Sequence, residues 1–187
     1  MQALDADLAA EQYELAEDLL AANSYRHYEI SNWAKLGYEC SHNLVYWQNH
    51  DYLGVGVAAH SSLNGHRLAN TSSIDEYLQN FADGLPFLSE MDEEIDAELL
   101  LAETVILGLR LDDGVSLDGI QKRFGVDVIS YYGQQISEMT EAGLLEYTGN
   151  SLKLTRRGRL LSNEVFWRLL PACPGRSRRG ESGVKVS

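Results

Sequence analysis

The sequence predicts an α/β chain in two units. Three observations carry this. Residues 1–85 pass from helical to strand-like periodicity and back, whereas 86–170 run a long helix and then helix, helix, hairpin, helix in the order of a winged helix. An apolar fraction of 44% with 23% charged residues supplies a core for 187 residues, and no apolar run approaches the roughly 18 residues that span a membrane.

Residues 2–22, QALDADLAAEQYELAEDLLAA, place Leu4, Leu8, Leu15 and Leu19 on one side of a predicted amphipathic helix, with acids opposite. Asn23-Ser24 stops it, and Tyr25 to Ile30 alternates as a strand does. This is the second half of a βα repeat whose first strand is absent, so the chain is expected to be part of something longer. Residues 44–68 read as strand-like pieces joined by tight turns. Gly54 and Gly56 alternate there with apolar residues, which admits another backbone or a flat ligand, and Asn64-Gly65 marks a hairpin. The segment RLANTSSIDEYLQNFADG turns into a helix, with Ser72 or Ser73 as N-cap and Gly84 near its end.

Pro86 opens the second unit. SEMDEEIDAELLLAETVILGLR predicts a long helix capped by Ser89, with acids in its first turn. A short helix over Ser116–Phe124 and a longer one over Asp127–Ala142 follow, then a hairpin around Gly149-Asn150 and a helix starting near Thr155. Residues 171–187 are rich in Pro, Gly, Ser and Arg, which predicts a disordered tail that need not belong to the fold.

The net charge of −13 opposes non-specific binding to nucleic acid or anionic membranes. The acid is concentrated in 86–118 and reads as a solvated face. A nucleic-acid-binding winged helix at 86–170, using Lys122, Arg123, Arg156, Arg157 and Arg159, is the competing reading from another class, and the overall charge argues against it. Two cysteines, Cys40 and Cys173, make no disulfide scaffold and point to a reducing compartment.

The chemically capable residues cluster in GYECSHNLVYW (37–47) and DYLGVGVAAHSS (51–62). Cys40 and His42 alone do not make a zinc site, which needs three or four ligands. Tyr46 and Trp47 serve a core or a planar ligand equally well. Glu29, Ser31 and Asn32 stand at a strand end, where they either cap the turn or line a barrel site. His60 ends an apolar run and reads first as a histidine bonded to backbone. No nucleophilic triad can be assembled, and GVGVAA lacks the Lys-Ser/Thr of a phosphate loop.

Taken together, YEISNWAKLGYECSHNLVYWQNHDYLGVGVAAHSS and the C-terminal GLLEYTGNSLKLTRRGRLLSNEVF resemble the oxygen-independent coproporphyrinogen III oxidase-like radical SAM family, most closely its HemW-type haem chaperone branch. The likeness covers about residues 1–170. It implies the C-terminal part of a radical SAM partial (β/α) barrel at 1–85, followed by a mostly α, winged-helix-like HemN-type C-terminal domain at 86–170. It implies a cytoplasmic parent that holds a [4Fe-4S] cluster through Cys-x3-Cys-x2-Cys, binds S-adenosylmethionine, and leaves room for peripheral membrane contact. This chain lacks the three-cysteine motif, so no radical catalysis and no cluster metal are expected from it alone. In the chaperone branch, the motif matching His42, Asn43, Tyr46 and Trp47 is implicated in haem binding, with the imidazole as axial ligand and the aromatic rings on the macrocycle. The position matching His60 lies at the S-adenosylmethionine pocket in the oxidase branch, where it is not a histidine. The implied partners are haem or porphyrin and a haem-accepting protein, with no nucleic acid. A porphyrinogen-decarboxylating oxidase is the alternative within the family.

Overall fold

A computed structural model describes residues 5–84 and 89–171. The chain opens with α1 (Ala6–Ala22), capped by the Asp5 carboxylate, which accepts from the amides of Asp7 and Leu8. Strands β1 (Arg26–Glu29) and β2 (Asn32–Ala34) pair antiparallel across a short turn. Helix α2 (Ser41–Trp47) comes next, then the Asn64-Gly65 hairpin of β3 (His60–Leu63) and β4 (His66–Asn70). Both turn residues have positive φ, 52° and 82°, as a tight two-residue hairpin requires. Helix α3 (Ile74–Ala82) starts on Ser73, whose hydroxyl accepts from the Glu76 amide.

Strand β5 (Ser89–Glu94) pairs with β4, and α4 (Ala97–Gly108) follows. The winged portion comprises β6 (Val115–Ser116), α5 (Leu117–Phe124), α6 (Val128–Tyr131), α7 (Gly133–Glu141), β7 (Leu145–Thr148) and β8 (Ser151–Leu154). Helices α8 (Arg156–Leu160) and α9 (Ser162–Leu169) close it, with the Thr155 hydroxyl accepting from the Gly158 amide. Every pairing among the described residues is antiparallel, in orders β1-β2, β3-β4-β5 and β6-β8-β7.

The main hydrophobic cluster belongs to the second half. Leu101, Val105, Leu109, Ile136, Met139, Leu145, Leu152, Val165 and Leu169 are all buried in it. Helix α4 is its spine. A Cβ at Gly108 would meet the Val115 side chain at 3.0–3.1 Å, so α4 and β6 pack closely there.

Four elements differ from the sequence expectation. Residues 44–47 lie in helix α2 and not in a strand, because α2 is held from one side by α4 and β1. Ser89 opens a strand and not a helix; the helix cap is Asp96, which accepts from the Leu99 amide. The acidic residues before it therefore extend a sheet, in register with Arg67 opposite Glu93. The helix expected over Asp127–Ala142 is broken at Tyr132, whose φ and ψ of −105° and 25° end α6 before α7 begins. On α1, Leu8, Leu15 and Leu19 are more than half exposed, and the inward side carries Tyr13 and Glu17 instead. Leu4, Pro86 and all of the expected tail beyond Pro171 lie outside the described residues.

Candidate functional site

Helix α2 sorts the expected haem residues by its own geometry. Residues four apart share a face, so His42 pairs with Tyr46 and Asn43 with Trp47. The Asn43–Trp47 side faces the protein. The Asn43 amide reaches the Tyr28 hydroxyl at 3.4 Å, and the Trp47 ring lies 4.3 Å from the guanidinium carbon of Arg110. Just past the helix, the Asn49 amide donates to Thr104 Oγ1 at 2.9 Å, and Arg123 donates to the Asn49 carbonyl at 3.0 Å. Thus β1, α4 and α5 together fix the pose of α2.

The other side is open. His42 is exposed, and its imidazole meets the Tyr46 ring edge-on with centroids 4.9 Å apart. Tyr46 in turn packs against Tyr52 at 4.6 Å. Tyr52 is pinned from behind by backbone hydrogen bonds with Ser62 of β3, 2.8 and 3.0 Å long. Burial raises its phenol pKa, Tyr46 adds to the rise, and Arg67 opposes it. Tyr52 lies outside the expected set. Its place beside Tyr46 depends on the turn at 48–51, which no local periodicity encodes.

His60 stands exposed at the start of β3. A Cβ at Gly54 would collide with the His60 carbonyl, so the close approach that Gly54 permits is to backbone. Asn70, buried, donates to the Gly54 and Gly56 carbonyls and braces that loop. Of the strand-end residues, Glu29 is fully buried; it accepts from Asn32 and lies 3.7 Å from Arg110, while Ser31 is exposed. Glu29 therefore ties β1 to the loop after α4.

The basic residues of the competing reading are largely engaged within the chain. Arg156 pairs with Glu17 and Asp18, Arg159 with Glu17 and Asp112, and Arg123 with the Asn49 carbonyl. They join the winged portion to α1 and α2. A [4Fe-4S] cluster does not fit these donors. The sequence has two cysteines where three thiolates are needed, and among the described residues no group of three or more His, Cys, Asp or Glu is placed to hold a metal ion. No helix among them is long and apolar enough to cross a membrane.

Comparison with known proteins agrees with this architecture. The HemN C-terminal domain family matches residues 95–161. The haem chaperone HemW of Bacillus subtilis is 35% identical over 158 residues, covering 84% of this chain and 41% of that protein. HemW of Mycobacterium tuberculosis is 35% identical over 175 residues, covering 91% of this chain and again 41% of the relative. The chain thus spans about two fifths of the length of these curated relatives. Among solved structures, the radical SAM enzyme coproporphyrinogen III oxidase, HemN, from Escherichia coli superposes with a TM-score of 0.61 at 16% identity, over 83% of this chain and 39% of that one. The winged C-terminal portion, the HemN C-terminal domain match within it and the long alignments to HemW support a HemN/HemW-like radical SAM family fragment.

Proposed function

We propose that this chain forms the haem-binding part of a HemW-like haem chaperone, which holds haem for transfer to an acceptor protein. The observation that carries the reading is the exposed imidazole of His42 on the open side of α2, with the Tyr46 ring against it. An imidazole nitrogen is a common protein ligand to haem iron, and an aromatic ring beside it offers a surface for the macrocycle. The other side of the same helix supports the role indirectly. Asn43 and Trp47, through Tyr28 and Arg110, fix α2 so that His42 is presented at a defined angle. An exposed ligand also suits a carrier, because the cargo has to leave for an acceptor. His60 is proposed for an S-adenosylmethionine pocket, and the cytoplasm is the proposed compartment. The radical chemistry of the family would need cysteines that this chain does not carry.

The test is a haem titration of the chain followed at the Soret band. The expected result is saturable binding with a histidine-type spectrum, weakened by about tenfold or more in His42→Ala. Identical affinity and spectrum in wild type and His42→Ala would remove the axial role of His42.

A further inference from the structure

The open side of α2 does not end at Tyr46. His42, Tyr46 and Tyr52 form a continuous row of rings, with successive centroids 4.9 and 4.6 Å apart at interplanar angles of 84° and 61°. Two of the three lie on α2, and the third comes from the segment leading into the glycine-rich loop. Tyr52 keeps its place through the backbone pairing with Ser62, so its ring is carried by β3 and not by α2. Trp47 lies on the other side, against Arg110. The aromatic surface next to the exposed imidazole is therefore built from Tyr46 and Tyr52.

We infer that Tyr52 is a further haem-contact residue, which extends the ring surface beside His42 and sets the lateral position of the macrocycle. This rests on the haem reading of His42. A planar tetrapyrrole coordinated from one side is free to rotate about the iron–nitrogen bond unless a second surface limits it. A ring anchored on a different element from the ligand supplies such a limit. Tyr52 contributes the face of its ring, so phenylalanine should substitute for it and a branched aliphatic residue should not.

The experiment compares Tyr52→Phe, Tyr52→Leu and His42→Ala with wild type by haemin titration of the full chain, alongside melting curves without haem. The expected result is wild-type affinity in Tyr52→Phe. In Tyr52→Leu, binding should be about three- to tenfold weaker, with the histidine-type Soret position retained. As a second readout, haem should shield Tyr52 of the unmodified chain from nitration by tetranitromethane, which keeps the inference testable if Tyr52→Leu does not fold. The inference is overturned if Tyr52→Leu binds as wild type, or if haem leaves Tyr52 nitration unchanged, while His42→Ala still loses binding. If wild type shows no histidine-type spectrum at all, the haem reading itself falls and this inference with it.

Discussion

Glu29 and Arg110 form an ion pair in which the carboxylate is fully buried. Removing one partner of a buried pair leaves an uncompensated charge, whereas removing both leaves mainly lost packing. Arg110→Met is therefore expected to cost about 3 kcal/mol in urea unfolding, and Glu29→Gln combined with Arg110→Met should recover part of that loss. A double-variant loss equal to the sum of the losses in Glu29→Gln and Arg110→Met alone would mean that the pair is not coupled. A second residue-scale prediction concerns acid. The Asp112 carboxyl is held below its ordinary 3.8 first by the His27 ring and also by Arg159, with burial opposing. His27 Nδ1 lies 3.9 Å away and Arg159 Nη1 3.7 Å away. A carboxylate with a depressed folded-state pKa contributes stability above its unfolded value and loses that contribution as pH falls through the folded one. Asp112→Asn should thus lower stability at neutral pH and flatten the decline below about pH 4. A stability–pH profile as steep as wild type on the acid side would contradict this.

At the scale of elements, the readable signals were those written into a few neighbouring residues. The caps at Ser73, Ser116 and Thr155 are where their hydroxyls accept from the following turn, and the Asn64-Gly65 and Gly149-Asn150 hairpins form as their turn chemistry dictates. What the sequence hid depends on distant partners. Helix α2 has seven residues, too few to be stable alone, and it contains Val45, Tyr46 and Trp47, which favour strands. Contacts to Tyr28, Thr104 and Arg110 around it decide its form. Strand β5 exists because β4 offers an edge, which outweighs a helix-like acidic pattern. The same logic gives an element-scale prediction. A Cβ at Gly158 would strike the Leu144 carbonyl and push α8 away from β7. Gly158→Ala is expected to destabilise by about 1–3 kcal/mol despite the higher helix propensity of alanine. A neutral or stabilising result in chemical denaturation would show that α8 can shift without loss.

Over the whole molecule, burial is uneven. Leu8, Leu15, Leu19, Leu36, Tyr38, Leu53, Val55, Val57, Ile74, Leu78 and Phe81 are all exposed and all precede residue 85, while the large buried cluster draws on residues 101–169. Buried apolar contacts raise the free energy of local opening. Limited proteolysis is accordingly expected to cut first within 35–60 and to leave a product spanning 97–169. The ion pairs from Arg156 and Arg159 to α1 should delay release of that helix at low salt more than at high salt. Preferential survival of residues 5–84 would contradict this distribution of stability. Helix α2, which carries the proposed haem ligand His42, lies at the seam, where it is posed by residues of the better-buried half.

Ligation of haem by His42 from the open side of α2 is tested most directly by chemical rescue. His42→Gly removes the imidazole and leaves space at an exposed position. Haem titrations of this variant with and without added imidazole are compared with wild type. His42→Gly is expected to lose the histidine-type Soret band, and imidazole to restore both band and affinity toward wild type. A His42→Gly variant that binds haem with wild-type spectrum and affinity in the absence of imidazole would contradict ligation by His42.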